Sequence, residues 1–145
     1  MTAPHSLFDF ASQACPTDTF HLVRFKGTEG VSRIFRFEIT LVSTEADIDA
    51  DEMVAQPATL TAKSTKGSHG RSGVLASFQQ LHKMDRFVFY KAVMVPRLWW
   101  LTLTNNHQIF LNKSLKDIFP EILKQAGLSQ GVDFDLRLQQ SYPTR

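Results

Sequence analysis

The single cysteine is the first residue of this 145-residue sequence that could do chemistry. Cys15 has His5 and His21 near it along the chain, and a cysteine nucleophile needs a basic partner. Cys15 lies beside a proline, in a stretch that predicts no helix or strand to hold the three side chains together. An idle thiol is therefore the preferred interpretation. One cysteine cannot form an intrachain disulfide, which suits folding in a reducing cytoplasm.

Metal-binding patterns are incomplete. No two of the five histidines have the spacing of metal ligands on one element; they are His5, His21, His69, His82 and His107. The acidic stretch from Glu45 to Glu52 superficially resembles a calcium loop. It lacks the central glycine and the carboxylate at the twelfth position. A solvated acidic turn is the better interpretation, and no metal site is predicted.

Phosphate-binding and hydrolase patterns are also incomplete. Lys66–Ser68 and Gly70–Ser72 contain pieces of a phosphate loop without its full glycine spacing. There is no Gly-x-Ser-x-Gly segment. The formal net charge of +2 is too small to imply a nucleic-acid partner. We therefore assign no catalytic, cofactor-binding or metal-binding residue, and we expect no enzyme and no cofactor.

The aromatic residues offer the remaining candidate site. Trp99 and Trp100, with Phe87, Phe89 and Tyr90, could form a stacking platform for sugars or bases. If the tryptophans lie on a strand, they face opposite sides of it. We expect one to be core and the other to pack under a helix or to lie in a subunit interface, where tryptophan is enriched. Trp99 and Trp100 are therefore the candidate interface residues.

The elements that must position these residues begin after an irregular N-terminal arm. Residues 1–19 contain Pro4 and Pro16 and show no periodicity, which predicts a loosely docked segment. From Phe20 the pattern changes to period two, and a turn is predicted at 27–30. The clearest strand follows, with four apolar side chains on one face; they are Phe35, Phe37, Ile39 and Leu41. These two strands form a predicted antiparallel hairpin.

Further strands are predicted along most of the remaining chain. They cover 58–63, 73–81, 87–95, 98–103, 108–111 and 134–138. A short helical turn at 51–55 follows Asp49, and residues 64–72 are predicted to form a loop rich in glycine and serine.

One helix is predicted over 114–126. Ser114 is a suitable N-cap, Asp117 occupies the N3 position, and Gly127 suits the position after the helix. Its apolar residues have helical spacing and predict one face packed on the sheet; they are Leu115, Ile118, Phe119, Ile122 and Leu123. Pro120 predicts a kink or an irregular first turn. The expected fold is mainly β (α+β), an antiparallel barrel over residues 20–145 with one packed helix.

Five segments, in this order, resemble the VgrG family of type VI secretion spike proteins. They are Phe20 to Ile39, Gln56 to Leu60, Tyr90 to Leu101, Ile109 to Ile118, and Ser141 to Arg145. The resemblance covers roughly residues 20–145 and implies the N-terminal part of a hub of the phage-tail type. In such proteins two barrels per subunit form a trimeric ring, followed by an OB-fold and a needle.

The resemblance implies a structural role in delivering effectors by contractile injection. The expected partners are two further copies in a homotrimer, a tube ring protein below the hub, and an effector or tip protein bound through C-terminal parts that lie beyond this chain. No nucleic acid and no membrane insertion are expected. A contractile phage tail hub is the alternative, and a carbohydrate- or nucleic-acid-binding barrel is a further one. The sequence shows no signal peptide, so the implied location is the cytoplasm during assembly, followed by secretion through the apparatus.

Overall fold

The chain folds into two compact units. The computed structural model describes residues 7–144, and the boundary between the units falls between Pro96 and Arg97. The boundary follows the last strand of the first unit, which ends at Val95, because the proline after it has no amide to continue the ladder.

The first unit is one antiparallel sheet that curls into a half-barrel. Its strands are β1 (Phe8–Ser12), β2 (His21–Gly30), β3 (Arg33–Ser43), β4 (Pro57–Ser64), β5 (Gly67–Met84) and β6 (Phe87–Val95). They lie in the order β1-β4-β5-β6-β3-β2, and every neighbouring pair is antiparallel. The edge strands β1 and β2 meet through aromatic pairs: Phe8 with Phe25 at 5.0 Å and Phe10 with Phe20 at 6.2 Å between ring centres. The predicted mainly β, antiparallel barrel-type fold is confirmed in this unit.

The core confirms the register predicted for β3. Ile39 and Leu41 are fully buried, Phe37 is 7% exposed, and Phe35 is partly buried against them. The neighbouring strand β6 contributes Tyr90, whose hydroxyl donates a hydrogen bond to the Glu45 carbonyl at 2.9 Å. The alternation along β3 therefore sets which face of the whole sheet is inside.

The turn predicted at 27–30 is wrong, because the hairpin turns at residues 31–32. Gly27 is instead inside β2 and pairs with Phe37, whose ring covers it. A Cβ at Gly27 would lie 2.1 Å from two atoms of that ring. The glycine is present for close approach by an aromatic ring rather than for a turn.

Two further predictions in this unit need correction. Residues 8–12 of the supposed irregular arm form β1, which pairs with β4, and Phe10 is buried; the arm's residues 1–6 lie outside the described residues. The supposed loop at 64–72 is largely the first half of β5, paired with β4 from Gly67 onward. Small and polar residues can form the first half of β5 because an antiparallel ladder is made by backbone groups.

The second unit contains little regular structure. Residues Arg97–Leu103 form a 3-10 helix, so the strand predicted at 98–103 is wrong. The strands predicted at 108–111 and 134–138 are also absent among the described residues, apart from one bridge between Gln130 and Phe134. An apolar run becomes a strand only where a partner ladder satisfies its backbone.

The predicted helix is present as Leu115–Gln125, here α2. Ser114 and Asp117 occupy the predicted N-cap and N3 positions, and they form a capping box in which the Ser114 amide donates to Asp117 Oδ2 at 3.1 Å. Gly127 follows the helix with φ +77°, and the Leu128 amide donates to the Leu123 carbonyl at 3.0 Å. The helical assignment runs unbroken through Pro120.

The predicted burial of the apolar face of α2 is wrong. No residue of the helix is buried, and Leu115 and Phe119 are 46% and 47% exposed. Periodicity identifies which residues share a face, but it does not show that the same chain supplies a partner for that face.

Candidate interaction surfaces

The cysteine lies in an environment opposite to that of a nucleophile. Burial is the main factor that raises the pKa of the Cys15 thiol, and the charge of Glu45 raises it further. A raised pKa reduces the thiolate fraction that reacts. No hydrogen bond joins Cys15 to His21 in the described part of the chain, and His5 lies outside it. The structure therefore does not assemble the cysteine and histidine pair.

The acidic stretch has a structural task. The Asp49 carboxylate accepts from the Asp51 amide at 2.9 Å and caps the short helix Ala50–Met53, here α1. This is close to the helical turn that the sequence predicts at 51–55. Between residues 7 and 144, no three histidine, cysteine, aspartate or glutamate side chains are grouped so that they could hold a metal. No helix in the same range is long and apolar enough to cross a membrane.

The predicted aromatic platform does not assemble within β6. Tyr90 is fully buried, and its ring stacks on Phe78 at 5.2 Å. Phe89 is covered by His82 at 4.7 Å between ring centres. Only Phe87 has a substantially exposed ring, and the Arg86 guanidinium lies 5.0 Å above it. A sugar or base would find no free stack of rings on this strand.

The two tryptophans lie on the 3-10 helix of the second unit. Trp100 is 44% exposed and Trp99 is half-buried. Their expected opposition across a strand does not apply, because successive residues of a 3-10 helix differ in direction by about a third of a turn rather than by half a turn. Trp100 lines a groove of about 670 Å³ with Phe110 and with Ile122 of α2. Trp100 is the more exposed of the two candidate interface residues.

The second unit exposes a larger apolar surface than the sequence predicts. Leu128 is the only buried hydrophobic residue among the described residues of this unit. The exposed large hydrophobic side chains, here called the apolar surface, are Leu98, Trp100, Leu103, Ile109, Leu111, Leu115, Phe119, Val132 and Leu138. Contiguous apolar patches, unlike single exposed residues, mark interaction sites, and Leu115 and Phe119 lie four residues apart on one face of α2. The helical pattern of α2 is the sequence signal that could have located part of it.

Comparisons with known proteins agree on one kind of molecule. The family model described as "Phage tail baseplate hub (GPD)" matches residues 28–145. The spike protein VgrG1b of the type VI secretion system of Pseudomonas aeruginosa PAO1 is 31% identical over 86% of this chain and 17% of its own length. Spike protein VgrG5 of the same organism is 36% identical over 75% of this chain and 14% of its own length. The chain thus spans less than a fifth of these curated relatives.

A solved structure shows the same fold. It is that of the Escherichia coli c3393 protein, described as a component of the type VI secretion system with structural similarity to T4 bacteriophage tail proteins gp27 and gp5. The TM-score is 0.83 at 24% identity, over 94% of this chain and 37% of that chain. The predicted resemblance to VgrG proteins is confirmed.

Proposed function

The chain belongs to the phage tail baseplate hub (GPD) family, and on that premise we propose that it is the structural hub part of a type VI secretion spike. It contributes the first barrel of a hub that sits on the secretion tube and travels with it when the sheath contracts. The observation that carries the proposal is the combination of a hub fold over 94% of the chain with spike proteins as sequence relatives.

The described residues favour a structural role over catalysis. The only cysteine has a raised pKa, the acidic stretch caps a helix, and the pieces of a phosphate loop lie in a strand. A catalytic site needs convergent polar groups in a pocket. We expect no hydrolase, nuclease or transferase activity from this chain, and no bound cofactor.

The hub acts as a homotrimer, and the apolar surface of the second unit is its contact area with the rest of the assembly. Trp100 is the best anchor on that surface, because a large aromatic side chain that fills a pocket in the partner dominates the energy of an interface. The tube ring protein binds below the hub, and an effector or tip protein binds through parts beyond this chain. The chain is cytoplasmic during assembly and leaves the cell through the apparatus itself.

A contractile phage tail hub is the second candidate function, since the family model carries that description. The spike proteins among the relatives favour secretion. A carbohydrate- or nucleic-acid-binding barrel is disfavoured, because Tyr90 and Phe89 of the predicted platform are covered.

A chimera tests the proposed role in assembly. This chain replaces the matching region of VgrG1b, and native mass spectrometry gives the number of subunits. We expect three. A Trp100→Ala variant is expected to dissociate at higher protein concentration than a matched Phe87→Ala variant, whose ring is exposed outside the apolar surface, because a weaker interface needs more protein to stay assembled. A chimera that folds but stays monomeric contradicts the proposal.

A further inference from the structure

We propose that the outer face of the first unit's sheet docks the acidic segment of a second copy of this chain. The outer face is the side of β2, β3, β5 and β6 opposite the core, and the acidic segment is residues 45–52. The contact deepens the proposed function and rests on it, because it names a surface through which hub subunits meet.

The outer face carries an excess of positive charge. In the register of the sheet, Lys26 lies opposite Glu38, and Arg24 lies opposite Thr40, which in turn lies opposite Lys91. Arg36 follows along β3 on the same face. These four cations therefore share a surface with a single carboxylate, Glu38.

Glu38 cannot neutralise this surface alone. It forms ion pairs with Lys91 at 3.3 Å and with Arg36 at 3.8 Å. Arg24 and Lys26 form no ion pair with any described residue, and both are exposed. They line a groove of about 450 Å³ together with Glu38, Lys91, Thr40 and Leu81. Two unpaired cations beside a groove are suited to an acidic ligand.

The acidic segment is the complementary surface. All five of its carboxylate residues are exposed and none has an ion-pair partner among the described residues; they are Glu45, Asp47, Asp49, Asp51 and Glu52. The segment is fixed rather than loose, because Tyr90 donates to the Glu45 carbonyl and Ile48 packs on the core. A fixed segment loses little conformational entropy on binding.

The two surfaces fit a contact between copies. The segment follows β3 and is anchored on the core side through Ile48 and Met53, whereas the cations point away from the core. One chain therefore presents two different, complementary patches. Such a pair makes a head-to-tail contact, which closes into a ring when the rotation between copies allows it. Charge complementarity of this kind fixes orientation and speeds association.

A zero-length carbodiimide crosslinker tests the contact, because it joins lysine amines to carboxylates that already touch. The full chain is mixed one to one as unlabelled and ¹⁵N-labelled protein, so that mass spectrometry separates crosslinks between chains from those within one. We expect crosslinks between chains from Lys26 or Lys91 to residues 45–52, lost as salt rises from about 25 to 500 mM, where the Debye length becomes shorter than the contact region. The Lys63–Asp9 ion pair within one chain is the internal control.

Charge reversal sharpens the result. Arg24→Glu with Lys26→Glu, or Glu45→Lys with Glu52→Lys, is expected to reduce the remaining crosslinks between chains about tenfold, which corresponds to about 1.4 kcal/mol. Mixing the two reversed variants restores a link between positions 45 or 52 of one and 24 or 26 of the other. Lys66→Glu with Lys83→Glu makes the same charge change elsewhere in the unit and leaves the crosslinks intact. If Lys26 and Lys91 link only within their own chain or to other carboxylates, the contact is wrong. The subunit count of the VgrG1b chimera still tests the proposed function separately.

Discussion

Gly73 in β5 has no room for a side chain, and this makes it a sharp probe of the half-barrel. A Cβ at this position would lie 2.3 Å from the Val95 carbonyl oxygen and 3.0 Å from its carbon. Both atoms belong to the backbone of β6, so no rotamer change removes the overlap. Gly73→Ala must therefore push β5 and β6 apart at the point where their ladder begins with Val74 and Val95.

The expected change in the free energy of unfolding combines two destabilising effects and one stabilising effect. Overpacking of this kind typically costs about 1–3 kcal/mol, and a lost ladder hydrogen bond adds about 1 kcal/mol. Alanine lowers the entropy of the unfolded chain and so returns about 0.4–1 kcal/mol. We expect Gly73→Ala to lower the free energy of unfolding by about 1–3 kcal/mol, the balance of these effects.

Gly70 provides the matched control in the same strand. Its Cβ would meet Thr59 Cγ2 at 3.5 Å, an ordinary contact. Gly70→Ala should therefore be neutral or stabilise by up to about 1 kcal/mol. Urea denaturation followed by circular dichroism measures both variants. Equal stabilities would refute the close approach of β5 to Val95, whereas a specific loss at Gly73 supports it.

Three other variants or probes test separate parts of the structure. Leu41→Ala, at a fully buried site, should lower the free energy of unfolding by about 2–5 kcal/mol in urea denaturation. Leu123→Ala should lower it clearly less, because Leu123 is only half-buried. Equal losses would contradict the difference in burial. Burial raises the pKa of the Cys15 thiol, so iodoacetamide at pH 8 should alkylate it more slowly than it alkylates the urea-unfolded chain. The Ser114 hydroxyl and amide lower the pKa of Asp117. The ionised Asp117 carboxylate therefore stabilises the fold above its unfolded pKa, and this stabilisation is lost as pH falls through the lower folded pKa. Asp117→Asn should remove this loss, which a pH series of thermal melts below about pH 4 would show.

The sequence predicts most of the sheet because alternation is a local signal. β6 matches its predicted range at both ends, and β3 buries the predicted face. Bulges are the exception: Val23 is an extra residue between the pairs Leu22–Leu41 and Arg24–Thr40, so it faces out while Leu22 and Phe25 face in. Period two cannot show such a shift in advance, because the bulge depends on the partner strand.

The missed strands and the wrong strand share one cause. The first half of β5 contains small and polar residues whose ladder is decided by a distant partner, and β1 is only 5 residues long, although Phe8 and Phe10 alternate with Asp9 and Ala11. The apolar Leu98–Leu103 run has strand composition but forms a 3-10 helix, because no strand of the described chain pairs with it. Pairing between distant segments is a property of the fold and is not encoded in either segment alone.

The candidate interface was only partly predictable for the same reason. Trp99 and Trp100 are conspicuous in the sequence, but only the structure shows that Trp100 borders a groove with α2 and that Trp99 is the less exposed of the two. The prediction of which residues share the apolar face of α2 is correct, but the prediction that this face is buried is wrong. That error identifies the part of the second unit for which we propose a partner.

Secretion of a chimera is the most direct test of the hub assignment. In Pseudomonas aeruginosa lacking VgrG1b, a VgrG1b whose matching region is replaced by this chain is followed from cells into the culture medium. We predict that the chimera is secreted when the type VI apparatus is active and retained when the apparatus is disabled. A chimera that accumulates as a folded trimer, yet is never released by an active apparatus that secretes unaltered VgrG1b, would contradict the role proposed for this chain.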